Sequence, residues 1–539
     1  MILKKLLKDK YLTNFKYVFT ALISFLPLFI LKDIQYTLLA LFELGIVFVA
    51  SNFFIRKYKR VTYVFNSIAI LLLNIQLLVL SFASTYINLI IISNLSSWRA
   101  VQGRFALLFP LALVVIVVSF LPIRALHTEQ NFNVKPLESR SFKLFVILIL
   151  LESLVIGLGG LTYSPLGAFY NLAVEEYEFS KLSAQQAKES QASKKRFLHD
   201  GVDDYKTKPS ILPSKPNIIL IFTEGLSQHI IDDERNIMPE VAAIQKKSLN
   251  FSHYYNHTFA TYRGLSGQLY SGYQLNNTDK NYLVSIQDVF KKNGYSTTFL
   301  NTEPKNQEFS EYLANFSFDH LIAGPVSPNG VTTDKQAYEE LFSILEKSQK
   351  EEPIFAAMYT FGTHAGQKSP DEKFEGGGNN LLDRFFNLDK QFGKFMKRLE
   401  NSTFATNTIV IFTTDHASYK GDEYKTTFPN QSTYHLSLDQ VPFFIYYKGI
   451  EPQEVDANGR NSLDLTPTIL DFLDLSHQNY FLGTSLFAGD DKVQEFSKTY
   501  VEALTYLNTT GAQVNTFTDS ELATIKEKVE DYYSAARFP

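Results

Sequence analysis

Three apolar segments, far apart in the chain, each run straight into a polar cluster. They are Asn217-Ile218-Ile219-Leu220-Ile221-Phe222-Thr223-Glu224-Gly225, Ile354-Phe355-Ala356-Ala357-Met358-Tyr359-Thr360-Phe361-Gly362-Thr363-His364 and Thr408-Ile409-Val410-Ile411-Phe412-Thr413-Thr414-Asp415-His416. Apolar, β-rich runs of this kind suit strands of a parallel sheet covered on both faces. In such sheets ligands gather beyond the carboxyl ends of the strands. The pattern therefore predicts that Glu224, His364, Asp415 and His416 meet at one edge of a sheet. Two carboxylates with a neighbouring imidazole are hard or borderline ligands. They suit one divalent metal ion, Mn²⁺ or Zn²⁺, with Mg²⁺ as the alternative.

Around these runs strands and helices alternate. Helices are expected over 238–247, 286–293, 335–350, 379–401 and 464–473, and further strands over 296–301 and 443–447. The alternation argues an α/β domain with a doubly wound, mostly parallel sheet, spanning 217–539. About 320 residues suffice to bury a large core independently of the rest of the chain.

The amino-terminal part, residues 1–163, is of another kind. Leu, Ile, Val and Phe dominate five runs, about 15–31, 34–54, 62–92, 104–123 and 143–163, each on the scale of the roughly twenty residues that cross a bilayer. Asn74 and Gln76 interrupt the third run and are expected to face other helices. Lys4, Lys5, Lys8, Lys10 and Lys16 precede the first run. Arg56, Lys57, Lys59 and Arg60 lie between the second and third, and Arg124, Lys135, Arg140 and Lys143 between the fourth and fifth. The opposite connections carry only Lys32, or Arg99 and Arg104. Positive residues stay inside, so the expectation is a multi-pass protein of a bacterial cell membrane, with a cytoplasmic amino terminus and an extracytoplasmic large domain. Trp98, the only tryptophan, falls in an outer connection and reads as an interfacial anchor. Residues 164–216 read as a linker, helical over 175–197 and loop-like from Asp200 to Pro216.

The chain has no cysteine although its large domain is expected outside, which leans towards a Gram-positive type of bacterium. Its formal charge of −4, with no basic face after residue 216, excludes nucleic acid as a natural partner.

One further loop carries chemistry: Asn256-His257-Thr258-Phe259-Ala260-Thr261-Tyr262-Arg263-Gly264-Leu265, leading into a small-residue, helix-compatible segment. A threonine at a helix start ordinarily caps it. Beside a metal its alkoxide becomes a nucleophile at neutral pH. Both Thr258 and Thr261 lie close enough in sequence for that role.

Taken in order, Thr-Glu-Gly at 223–225, Ala-Thr-Tyr-Arg-Gly-Leu at 260–265, Gly-Thr-His at 362–364 and Thr-Asp-His at 414–416 resemble the alkaline phosphatase/sulfatase superfamily. Within it, the chain resembles the membrane-anchored lipoteichoic acid synthases, phosphoglycerol transferases and phosphoethanolamine transferases. The segments Val441-Pro442-Phe443-Phe444-Ile445, Asp464-Leu465-Thr466-Pro467 and Gly483-Thr484-Ser485-Leu486 are similar to the end of that fold. The resemblance implies Glu224, Thr261, Asp415 and His416 as the metal shell and Thr261 as the nucleophile, through Thr-Tyr-Arg-Gly-Leu. It implies Arg263 and His364 as groups that meet the transferred phosphate, His364 also as a leaving-group acid, and His435 as a further member of the pocket. The implied activity moves a phosphoglycerol or phosphoethanolamine headgroup from a membrane phospholipid, through a phosphothreonine, to a cell-surface glycan or glycolipid. True sulfatases instead carry a Cys or Ser in Cys/Ser-x-Pro-x-Arg, and this loop has neither that Cys nor the Pro. A phosphodiester or sulfate-ester hydrolase of the same fold, and a non-enzymatic membrane lipid sensor, are the competing readings.

The charge asymmetry makes a topological prediction. Protease added to intact protoplasts is expected to cleave within 217–539 and to spare the Arg56–Arg60 connection; protection of the large domain would overturn the orientation.

Overall fold

The computed structural model describes residues 14–55, 57–83, 85–89, 91–92, 105–124, 140–158, 160–277, 279–348, 352–431 and 438–539. Trp98 and His435 lie outside the described residues. Two compact units divide at Phe179 and Ser180, within a helix that runs Pro165–Arg196.

In the first unit, helices occupy Phe15–Ile23, Leu26–Leu31, Ile34–Phe54, Lys59–Ala83, Phe105–Ser119 and Arg140–Gly157. Among the described residues two of them, Ile34–Phe54 and Lys59–Ala83, are long and apolar enough to cross a membrane. At 1.5 Å per residue the shorter spans about 31 Å, the thickness of a hydrocarbon core. In the third apolar run the long helix ends at Ala83, and Leu89, Ile91 and Ile92 are helical again. Polar side chains on these helices turn inward, and some of their atoms find partners while others, such as Asn74 Oδ1 and Gln76 Nε2, do not. Asn74 and Gln76 are fully buried. Asn74 Nδ2 donates to Ser119 Oγ at 3.3 Å, and Gln76 Oε1 accepts from the Ile87 amide at 2.9 Å. Lys16 Nζ donates to Ser67 Oγ at 3.1 Å and to the Ser119 carbonyl at 2.8 Å.

The second unit is built on a sheet of eight strands: β1 (Asn217–Thr223), β2 (Leu249–Ser252), β3 (Ser296–Asn301), β4 (His320–Ala323), β5 (Ile354–Tyr359), β6 (Thr408–Thr414), β7 (Phe444–Tyr447) and β8 (Gln453–Asp456). Their order is β4-β3-β5-β1-β6-β7-β2-β8. Every neighbouring pair is parallel except the two that β7 makes, with β6 and with β2, so β7 alone runs against the rest. The sheet is thus mixed, with one reversed strand.

All residues of β1, β5 and β6 are buried, which explains the absence of alternation in their sequences. Ile218, Leu220 and Phe222 enter one core with Phe355, Tyr359, Ile409 and Ile411. Ile219 and Ile221 enter the opposite core with Met358, Val410 and Phe412. Helices cover both faces: Thr261–Tyr270 and Leu465–Phe472 pack on the first, Asp334–Lys347 and Asn380–Glu400 on the second. Each large aliphatic buried in this way contributes about 1.5–3 kcal/mol relative to exposure.

Beyond Leu473 the chain adds a three-stranded antiparallel sheet, β9 (Thr499–Glu502), β10 (Thr505–Thr510) and β11 (Gln513–Thr516), and a last helix, Asp519–Arg537. That helix opens on a reciprocal cap between Thr518 and Glu521.

Candidate active site

β1 and β6 pair in parallel with Thr223 opposite Thr414, so the next residues on the two strands are Glu224 and Asp415. Register alone brings these carboxylates together at the carboxyl edge. His416 follows, and the ligating atoms of the three residues all lie within 4.8 Å of one another. His416 Nε2 is 3.6 Å from Glu224 Oε1 and 3.4 Å from Asp415 Oδ2. All three side chains are buried.

The groups around them fix their orientation. Asp415 Oδ1 accepts the amides of Gly225 at 2.9 Å and His416 at 2.7 Å, while Asp415 Oδ2 has no hydrogen-bond partner. Gly225 has φ +54°, a left-handed conformation that disfavours a side chain. His416 Nδ1 lies 2.7 Å from the Ala417 carbonyl. A carbonyl only accepts, so Nδ1 carries a proton and Nε2 is the nitrogen that faces the carboxylates. Burial lifts Asp415 to about 7, aided by the Glu224 charge and opposed by His416 and the two amides. Burial also works against an ionised Glu224, but His416, His364 and the hydroxyls of Tyr359 and Thr261 outweigh it and hold Glu224 below the usual range. His416 resists burial for the same reason: Asp415 and Glu224 raise it above an ordinary imidazole.

Thr261 opens the helix Thr261–Tyr270. Ala260, just before it, has φ 74° and ψ 144°, a conformation rare for a residue with a side chain and costing roughly 1–3 kcal/mol. Glycine follows where the helix meets β6: a Cβ on Gly264 would stand 2.2 Å from the Asp415 carbonyl oxygen. This close approach sets Thr261 Oγ1 3.3 Å from Glu224 Oε2 and 3.5 Å from the Tyr359 hydroxyl. Thr258, the other threonine, is buried and donates to the Val501 carbonyl at 2.7 Å. The structure thus brings Thr261 to the carboxylates and commits Thr258 to the β9 backbone.

Of the other residues singled out in sequence, His364 lies close enough for its charge to act on Glu224. Its ring stacks on Phe361 at 4.6 Å, and its Nδ1 meets the Ala365 carbonyl at 3.0 Å, leaving Nε2 free of that contact. Arg263 is buried in the first turn of the Thr261 helix. Its charge is felt at His257, whose pKa falls to about 3, chiefly through burial. His257 Nδ1 pairs with Ser462 Oγ at 2.6 Å, and His253 pairs with Asp456 at 2.9 Å.

Two members of the cluster carried no sequence signal. Tyr359 closes β5 and reads as one more apolar strand residue, yet its hydroxyl donates to Glu224 Oε2. Phe259 lies with its ring 4.5 Å from that of His416.

The comparisons with known proteins bear on this arrangement. Residues 216–475 match the Sulfatase family model. Phosphoglycerol transferase I of Escherichia fergusonii is 24% identical over 340 residues, covering 54% of this chain and 42% of that relative. An ulvan-active sulfatase of Formosa agariphila is 25% identical over 324 residues, covering 48% of this chain and 61% of that relative. The chain therefore matches less than two thirds of the length of either. Among solved structures, the integral membrane protein lipooligosaccharide phosphoethanolamine transferase A (EptA) of Neisseria meningitidis has a TM-score of 0.51 at 13% identity, over 86% of this chain and 96% of its own. That likeness is one of fold. The stretch that matches the Sulfatase model, residues 216–475, carries Glu224, Asp415 and His416 at the strand ends of the central sheet.

Proposed function

We propose that the protein is a metal-dependent transferase that moves a phosphoryl-linked headgroup, phosphoglycerol or phosphoethanolamine, from a membrane phospholipid to a cell-surface glycan or glycolipid. The observation that carries this reading is Thr261 Oγ1 at 3.3 Å from Glu224, beside the Asp415–His416 pair. Relatives named as a phosphoglycerol transferase and, by fold, a phosphoethanolamine transferase support the same class. The apolar amino-terminal segments, read as five spans over 1–163, a linker over 164–216 and a catalytic domain over 217–539, tether the enzyme to the membrane that supplies its donor. The arrangement of basic residues supports an extracytoplasmic catalytic domain in the cell envelope of a bacterium.

The residues present fit one divalent ion, Mn²⁺ or Zn²⁺. Asp415 Oδ2 is buried without a partner, Glu224 Oε1 faces the same space, and His416, its Nδ1 held by the Ala417 carbonyl, turns Nε2 toward both carboxylates. With Thr261 these would hold the metal. Bound there, the ion supplies positive charge that polarises a phosphoryl oxygen and lowers the pKa of a neighbouring hydroxyl. In the first half-reaction Thr261, having lost its hydroxyl proton to solvent, attacks as the alkoxide: Oγ forms a bond to phosphorus, the bond to the diacylglycerol oxygen breaks, and His364 protonates that oxygen as it leaves. In the second, an acceptor hydroxyl gives its proton to His364 and attacks phosphorus, and Thr261 leaves as the alkoxide. Arg263 and His435 are assigned to holding the phosphate. A hydrolase would place water in the second step, and the ulvan-active sulfatase relative favours testing it. The threonine at the nucleophile position, in a chain without cysteine, argues against sulfate-ester hydrolysis.

Two experiments follow on the full-length protein. Thr261→Ala is expected to lower headgroup transfer on the order of 10⁴-fold or more, whereas Thr258→Ala keeps measurable turnover at some cost in stability. Turnover by Thr261→Ala, or acceptor-independent release of free headgroup by the wild type, would contradict the transferase reading. The second concerns metal affinity. Without metal, His416 is raised above its usual range and Asp415 to about 7, so both carry protons in mild acid. Metal binding must displace those protons, so Zn²⁺ affinity should rise from about pH 6 to about pH 8 with net proton release. Asp415→Asn should abolish high-affinity binding. A pH-independent affinity, or an Asp415→Asn protein that keeps its metal, would sink the assignment.

A further inference from the structure

Glu224 has two carboxylate oxygens, and its surroundings divide them. Oε1 faces His416 Nε2 at 3.6 Å. Oε2 receives the Tyr359 hydroxyl and lies 3.3 Å from Thr261 Oγ1. Tyr359 is in register with Phe222 of β1, two residues before Glu224, and is completely buried. Its ring sits between Phe309 at 5.6 Å and Phe361 at 6.4 Å. Its backbone is fixed as well: the Thr302 hydroxyl donates to the Tyr359 carbonyl at 2.8 Å, and the next amide, Thr360, donates to Phe222 at 2.9 Å. A phenol held so rigidly and out of reach of water must find an acceptor or bear the cost of an unmade hydrogen bond. The acceptor it finds is Glu224. Thr261 Oγ1 donates its proton to the same carboxylate oxygen, and the phenol oxygen lies 3.5 Å from it.

We propose that Tyr359 is a positioning residue of this site: its hydroxyl occupies Glu224 Oε2, keeps Oε1 turned toward His416 and Asp415, and holds Thr261 Oγ1 against the same carboxylate. The inference rests on the reading of the cluster as a metal centre with Thr261 as its nucleophile, and it gives a role to a residue that none of the motifs contains. Phenylalanine at 359 would fill the same space without the hydroxyl. Glu224 would then be free to rotate about its side chain, and with it the carboxylate oxygen to which Thr261 donates. Groups that orient a metal-binding carboxylate typically change metal affinity or activity 10–100-fold when removed.

The test compares wild type with Tyr359→Phe, each full length in detergent and stripped of metal. Calorimetric titration with Zn²⁺ is expected to show affinity weakened by about 10–100-fold, with the melting temperature of the metal-free protein nearly unchanged. Turnover of donor lipid should fall by a similar factor in kcat, with KM changed by less than about threefold, because the groups that bind the donor are untouched. Wild-type Zn²⁺ affinity together with wild-type kcat would overturn the proposal. So would a large drop in melting temperature with unaltered Zn²⁺ affinity, which would assign the hydroxyl to packing. Thr261→Ala separates this inference from the functional reading: if that variant turns over, the nucleophile is misassigned, while the Zn²⁺ titration of Tyr359→Phe still decides the role of the phenol.

Discussion

Two carboxylates buried at the ends of adjacent parallel strands are the constraint that the rest of this site answers. Glu224 and Asp415 have ligating atoms within 4.8 Å of one another. As bare anions at that separation they would repel by roughly 3–4 kcal/mol at an effective dielectric of about 20. Register leaves the backbone no means of separating them, since Thr223 and Thr414 are paired. The protein relieves part of the charge with two amides on Asp415 and a phenol on Glu224. His416 supplies the rest when protonated, but Asp415 Oδ2 is still without a partner. A divalent cation would satisfy every member at once. In the proposed function Thr261, His364 and Tyr359 are arranged around that charge.

The strands that make this edge were legible because burial on both faces writes a simple signal. β1, β5 and β6 are apolar at every position that the two cores demand, and the polar residues begin where the strands leave the sheet. The helices expected within 217–539 matched to within a few residues, Asn380–Glu400 and Asp334–Lys347 among them, whereas the linker helix expected over 175–197 begins ten residues earlier, at Pro165. Strand direction was not legible. Phe443–Tyr447 reads as a strand either way, and only pairing shows that β7 opposes its neighbours. The small sheet β9–β11 is short and half exposed, so it lacks a clear pattern, although the Thr518–Glu521 cap of the last helix was visible in principle.

Within the site, sequence supplied the groups that are chemically conspicuous and overlooked those that act through shape. Glu224, Asp415, His416 and Thr261 announce themselves as a carboxylate, an acid–imidazole pair and a hydroxyl before a helix. Tyr359 hides in an apolar run because its ring belongs to the core and only its oxygen belongs to the site. Ala260 hides because a positive φ leaves no mark on an ordinary residue. The contrast between Thr258 and Thr261, three residues apart, could not be drawn from spacing; it is set by the Val501 carbonyl on one side and Glu224 on the other. In the amino-terminal unit the apolar runs located helices, while the breaks between them, such as the one separating Phe15–Ile23 from Leu26–Leu31, depended on local geometry.

The central claim is that Thr261 carries the transferred group. It is tested most directly by incubating the full-length protein with Mn²⁺ and a phosphatidylglycerol or phosphatidylethanolamine donor in the absence of acceptor, then mapping any adduct by peptide mass spectrometry. The account predicts a phosphoryl-linked headgroup on Thr261 that disappears when acceptor is added. An adduct on Thr258, on another residue, or on none while diacylglycerol is still released would contradict it.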